Sequence, residues 1–176
     1  MSWFRFNLGP TYQILTVSIL AGMLLTGCGF SPVYRQDSPG SVRQYLAQIE
    51  VAQIGGYHGL QLRNQLNEKT SPTGVVDVPR FRLSVVLESS TEAVLIQSDN
   101  TATRQNLRMN ASFTLIDLSS GETVFKGNSV SVGSYNVVNT EFATISAEDN
   151  ATERAVQEIG EEIFDLLVVH FNRNDS

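Results

Sequence analysis

Leu107-Arg108-Met109-Asn110-Ala111-Ser112-Phe113-Thr114-Leu115 alternates without a break. Its odd positions, Leu107, Met109, Ala111, Phe113 and Leu115, are apolar, and Arg108, Asn110, Ser112 and Thr114 between them are polar. A period of two puts one set on each face of a strand, so this is a strand with one buried and one wet face. Such strands belong to antiparallel sheets, because parallel sheets are covered on both faces. Upstream, residues 80–88 have the same parity: Phe81, Leu83, Val85 and Leu87 against Arg80, Arg82, Ser84 and Glu88. Further on, Val94 and Ile96 are even-numbered. The apolar parity switches around residues 89–92, which predicts a bulge or a bend there. Asp99-Asn100 is a turn candidate before the central strand. After it, Ser119-Ser120-Gly121 makes the next turn, with Gly supplying a positive φ. If Phe125 shares the core face with Phe113 and Leu115, Leu115 lies opposite Phe125 across a loop of about five residues. Residues 124–138 then form the last long strand.

The flanks supply a shorter strand and two helices. Leu46, Ile49, Val51 and Ile54 punctuate polar positions and predict a strand near residues 46–51, broken by Gly55-Gly56. Leu62 and Leu66, four apart among charged and amide residues, predict a helix over residues 59–69, ended by Pro72-Thr73-Gly74. The C-terminal segment is the strongest helix. Ala151, Ala155, Ile159, Ile163, Leu167 and Phe171 recur at spacing four, with Val156 and Leu166 widening the stripe. Glu153, Arg154, Glu158, Glu161, Glu162 and Asp165 form the polar side, and Ser146 with Asp149 reads as a capping pair. A helical stripe cannot bury itself alone. The fold expected is therefore α+β: a mostly antiparallel four-stranded sheet with two helices packed on one face.

The N-terminus reads as processing. Arg5 precedes an apolar run over residues 14–25, small residues follow, and the chain's one cysteine comes next. That is the order of a secretory signal, and the run is shorter than the ~20 residues a spanning helix needs. Leu25-Thr26-Gly27-Cys28 resembles the lipobox of bacterial lipoproteins, in which the thiol is acylated and the bond before it is cut. A lone thiol in an oxidising compartment is a liability that lipidation removes. Two or more acyl chains, of palmitate type, give stable attachment where one gives only a marginal hold. The expected divisions are a signal peptide over residues 1–27, a lipidated tether over residues 28–44 and a folded domain over residues 45–172. Gly29 is not Asp, which resembles an inner-membrane retention signal, so the outer membrane, on its periplasmic side, is the expected location.

Cleavage before Cys28 leaves 149 residues, enough for one domain with a real core. It removes one of the twelve basic residues and none of the eighteen acidic ones, so the domain is acidic. A general binder of nucleic acid or of an anionic membrane shows the opposite balance, and no nucleic-acid partner is expected. No catalytic set assembles either. His58, in a Gly-rich turn, and His170, near the end of the last helix, lack metal-ligand spacing and read as loop and cap or solvated residues. Gly127-Asn128-Ser129-Val130-Ser131 fails the nucleophile-elbow pattern at its last position. Gly55-Gly56-Tyr57-His58-Gly59 lacks the Lys-Ser/Thr of a phosphate loop. Acidic neighbours such as Glu161-Glu162 read as solvated helix charge. Neither an enzyme nor a resident cofactor or metal is expected.

Three places resemble the lipopolysaccharide-assembly lipoprotein family LptE. They are Cys28-Gly29-Phe30-Ser31-Pro32-Val33-Tyr34, the order of strands and helices, and Ser134-Tyr135-Asn136 with Glu141-Phe142-Ala143 before the Ala-rich helix start. The acidic C-terminal helix and the brief tail 172–176 depart from that pattern. The resemblance implies a plug and assembly partner of a large outer-membrane β-barrel (LptD) and a protein that binds lipopolysaccharide. An auxiliary lipoprotein of a lipid-transporting ABC system is the alternative. Ser84, Asn110, Ser112, Thr114 and Asn128 form the outward polar set that a polar barrel lumen would meet. Arg82, Arg108 and Lys126 have the parity of that outward face, with Arg80 a possible fourth, and are the expected contacts for lipopolysaccharide phosphates.

Overall fold

A computed structural model of the chain describes residues 42–71, 78–94, 103–138 and 140–174. The lipobox, the tether up to residue 41 and the Asp99-Asn100 turn lie outside these. The elements run α1 (Val42–Leu46), β1 (Ile49–Val51), α2 (Gly56–Thr70), β2 (Phe81–Val94), β3 (Thr103–Asp117), β4 (Thr123–Val137) and α3 (Glu141–Asn174). The sheet order follows the chain, β1-β2-β3-β4. β1 pairs with β2 in parallel and the other two pairings are antiparallel. α3 lies over β4 and β3, while α2 packs on α3 and β1. This is the expected α+β arrangement, with two long helices on one face.

Alternation fixes which face is buried. Phe81, Leu83 and Val85 of β2 and Leu107, Met109, Ala111, Phe113 and Leu115 of β3 all point into the core. α3 meets them with the stripe read from the sequence: Ala151, Ala155, Ile159, Ile163, Leu167 and Phe171 are all buried. Leu62 and Leu66 of α2 close the remaining side and are fully buried. Burying one such side chain contributes ~1.5–3 kcal/mol, and the stripe's period of four keeps every member on the same side of α3. Two polar links brace α2. Arg63 Nε donates to Val51 O (3.2 Å), and Gln65 Nε2 donates to Gln157 O (2.9 Å).

The turn after β3 forms as its residues require. Leu115 faces Phe125, and Gly121 has φ 74°. Asp117 organises this turn, because its Oδ1 accepts from the Ser119 backbone N–H (2.8 Å) and from the Ser119 hydroxyl. Those bonds, with Arg80 as a weaker contributor, hold the Asp117 carboxyl below the usual carboxylate range.

Four expectations fail, each for a physical reason. The parity switch in β2 is no bulge, because its ladder with β3 runs unbroken from Phe81–Asp117 to Val94–Arg104. Residues 88–93 are exposed whichever way they point, so apolar parity there reports no core. The irregularity lies instead between Leu115 and Ile116, against β4. Leu46 ends a helix rather than starting a strand, and α1 draws residues 42–44, read as tether, into the folded body with Val42 buried. Ser146 is not a cap, since α3 begins at Glu141. Thr144 anchors that early start: its Oγ1 accepts from the Val138 N–H (3.1 Å) and donates to Val138 O (3.2 Å). The first turns of α3 are largely exposed, so no apolar stripe announced them.

His170 is neither cap nor solvated residue. Its ring is half-buried, stacked on Phe125 at 4.5 Å between centroids and edge-on to Phe171 at 5.3 Å. Burial, and then the Arg173 charge, lower its pKa from the ordinary value of 6.5. Because the folded state holds this imidazole neutral, its contribution to stability is complete above pH ~6.5 and is lost as pH falls toward the lower folded value. Thermal melts followed by circular dichroism should show the melting temperature dropping below pH ~6.5. His170→Gln should flatten that slope, and an unaltered slope would place the titrating group elsewhere.

Candidate functional site

The helices leave the other face of the sheet uncovered among the described residues. β3 runs through its middle and presents Arg108, Asn110, Ser112 and Thr114 there, as the alternation requires. Neighbouring strands add Ser84, Val86 and Glu88 on one side and Lys126, Asn128, Val130 and Val132 on the other. Three valines stand exposed between the polar groups of this surface: Val86, Val130 and Val132. Ser112 Oγ donates to Asn128 Oδ1 across the strands (3.4 Å). The outward polar set read from the sequence is therefore where alternation put it.

The three candidate cations share this face but form no cluster. Arg108 is paired in register with Ser90, eight residues along β2 from Arg82. At ~3.4 Å per residue that is about 27 Å. Lys126 pairs with Thr114, six residues along β3 from Arg108, or about 20 Å. Both spans exceed the ~8 Å Debye length at physiological salt, so Arg108 acts apart from the other two, whereas Arg82 and Lys126 lie two strands apart and two residues out of register, roughly 12 Å. Arg82 is further neutralised by Glu50 of β1, whose Oε2 accepts from Nε (3.1 Å) and Nη2 (3.0 Å). Arg80 is likewise held by Asp117 (3.4 Å) and lies over the Tyr45 and Phe81 rings. Glu50 sits thirty-two residues from Arg82 in sequence, and only the parallel β1–β2 pairing brings the two together.

Asn110 belongs to the outward polar set read from the sequence. It occupies the centre of the face, opposite Glu88 on β2 and Val130 on β4. Its Oδ1 is buried and accepts no hydrogen bond, the sole side-chain atom of that kind among the described residues. No sequence signal marks it, because the burial comes from neighbours on two other strands.

Beneath the opposite face, the last helix makes polar contacts that the sequence reading assigned to solvent. The buried Ser129 and Ser131 hydroxyls of β4 donate to Glu162 and to Glu158 (2.6 Å) of α3. These two carboxylates, one helical turn apart, reach down beside the stripe and satisfy hydroxyls that would otherwise be stranded. Glu158, Glu161 and Glu162 all remain exposed as residues, as read. His58 sits on α2 with Nδ1 3.3 Å from Gln61 Oε1, among no other metal ligands. Among the described residues no group of three or more His, Cys, Asp or Glu is placed to hold a metal ion, and no helix is long and apolar enough to cross a membrane.

Three comparisons bear on this fold. The family model described as LptE, lipopolysaccharide-assembly, matches residues 41–167. A lipoprotein of Caulobacter crescentus, solved by crystallography, is similar at 25% identity and TM-score 0.59, over 74% of this chain and 96% of its own. A minor lipoprotein from Acinetobacter baumannii shares the fold at 15% identity and TM-score 0.50, over 72% of this chain and 93% of its own. Among curated proteins none matches the sequence.

Proposed function

Because the chain belongs to the LptE lipopolysaccharide-assembly family, we propose that it works as the plug and assembly partner of the lipopolysaccharide-transport β-barrel. The family is one of non-enzymatic lipoproteins, so the activity to be explained is binding and positioning. The observation that carries the proposal is the uncovered sheet face. Large barrels have polar lumens, and a plug needs a rigid surface that offers hydrogen bonds without concentrating charge of one sign. Ser84, Asn110, Ser112, Thr114 and Asn128 offer that on strands backed by the core behind them.

Attachment through lipid on Cys28 at the periplasmic side of the outer membrane completes the reading. A domain beginning at Val42 stands fourteen residues from that anchor, up to ~46 Å of extended chain. That reach lets the domain enter a barrel while its lipid stays in the inner leaflet. Arg108 and Lys126 are the contacts proposed for lipopolysaccharide phosphates, each acting alone. Arg82, already paired with Glu50, contributes little to net charge.

Purification of the full-length protein from outer membranes in detergent tests both parts. A large β-barrel is expected to copurify, and the intact mass is expected to be that of a chain starting at an acylated Cys28. A stable monomer free of any barrel would overturn the plug. Copurification of inner-membrane transport components instead would support the ABC-system alternative. An unmodified Cys28 would overturn the anchor.

A further inference from the structure

The sheet ends on β4, which has β3 on one side and, among the described residues, no strand on the other. Alternate residues of such a strand turn their N–H and C=O groups outward, a template for another extended chain. Proteins normally blunt an open edge with charge, proline or brevity, and the rest of this sheet does so. β1 is short, and its Val51 O accepts from Arg63. β2, unpaired by β1 beyond Leu83, carries Glu88 and Glu92 there. β4 has no such guard: from Gly127 to Val137 it holds neither a charged residue nor a proline.

The two faces beside this edge set what can pair with it. On one, Val130 and Val132 stand exposed. On the other, α3 lies over β4, with Glu158 and Glu162 bonded to Ser131 and Ser129, and with Glu148 acting on the Tyr135 hydroxyl. Glu161 and Asp165 extend this acidic side of the helix, against a single turn's Arg154. A second copy does not fit. Pairing β4 with β4 at ~4.8 Å would bring two α3 helices closer than the ~8–10 Å at which helices pack, with their carboxylates facing. A barrel wall cannot supply the strand either, because a closed barrel has no free edge.

We propose that the β4 edge takes up one extended segment of a partner protein, a loop or a terminus, which adds to the sheet as a further strand. Main-chain hydrogen bonds hold it, and its side chains alternate: Lys or Arg toward Glu158 and Glu162, apolar toward Val130 and Val132. The inference goes beyond the plug reading and does not need it, since strand addition at the edge leaves the uncovered face free.

The test is titration of the full-length lipidated protein in detergent with a short synthetic peptide alternating Val and Lys. Binding is read by calorimetry and by hydrogen exchange at single amides. Saturable binding is expected, with new protection at alternate residues between Gly127 and Val137. Glu158→Gln with Glu162→Gln keeps acceptors for the two serines and should weaken the peptide about tenfold. Val132→Lys, on the exposed face, sets a charge on the edge and should weaken it comparably. Melting curves establish that both variants fold. A peptide of the same composition with all Val before all Lys should not bind. Absence of saturable binding would overturn the inference, as would protection that falls on β2 instead. Equal binding of the block peptide would reduce the effect to charge attraction and overturn strand addition. Protection of the same amides without peptide would show the edge already occupied, by the chain itself in a monomer or by a second copy in a dimer, and would also overturn it. Each of these leaves the plug reading standing, because barrel copurification tests that separately.

Discussion

Phe113→Ala is expected to destabilise the domain by ~3–5 kcal/mol, the usual loss for truncating a buried aromatic ring. Phe113 is 2% exposed on the central strand, directly opposite Gly127 of β4 and edge-on to Phe125 at 5.6 Å. The ring fills the space that Gly127 leaves, since a Cβ on Gly127 would stand 2.3 Å from Phe113 Cζ. That geometry makes the pair separable from a general core effect. Gly127→Ala alone should cost ~1–3 kcal/mol by overpacking. In the Phe113→Ala background the same methyl enters an emptied site, and its cost should shrink or reverse, giving a coupling of ~1 kcal/mol or more. Urea denaturation of the four proteins measures this directly. Strict additivity would mean that the ring does not rest on that glycine. Asn110→Ala, outward on the same strand, is the control and should leave the midpoint within about 0.5 kcal/mol. Equal damage from Asn110→Ala and Phe113→Ala would invert the assignment of sheet faces.

Phe171→Ala should be comparably costly, ~3–5 kcal/mol, with a different spatial signature. Phe171 is buried at the C-terminal end of the α3 stripe. Its ring stacks on Tyr45 of α1 at 5.4 Å and packs against Phe81 of β2 at 5.3 Å. One side chain thus joins three elements that are remote in sequence, including the short helix that opens the described part of the domain. A five-residue helix is not stable by itself, so α1 depends on such contacts. Hydrogen exchange in Phe171→Ala should therefore rise most over residues 42–48, while amides of β3 near Phe113 keep the protection allowed by the lower global stability. A uniform rise everywhere would show that α1 is held by something other than this ring cluster. Phe113→Ala should not single out α1.

The sequence determined by itself everything that depends on an unbroken period. Leu107 to Leu115 specified a strand and its buried face, and Ser119-Ser120-Gly121 with Phe125 specified the register of the hairpin. Ala151 to Phe171 specified the helix that covers the sheet. These are local patterns with a single buried solution, because shifting a strand by one residue exposes its entire apolar set. Periodicity failed where burial was absent: in β2 beyond Leu87 and in the first turns of α3, exposed residues obey no parity. It also failed for α1, which is too short to display a period.

Only the tertiary structure decided the site. Parity placed Arg82, Arg108 and Lys126 on one face correctly. It could not give their separation along the strands, which depends on pairing register between remote segments. Nor could it reveal that Glu50 neutralises Arg82 through a parallel pairing, or that Glu158 and Glu162, themselves exposed, accept hydrogen bonds from buried serines. The unpaired Asn110 oxygen is the clearest case. An asparagine between Met109 and Ala111 reads as one more solvated residue, and it becomes a buried acceptor only when β2 and β4 close on either side of it. A single strand's sequence records which way a side chain points, whereas what surrounds it is set by chains it meets only on folding.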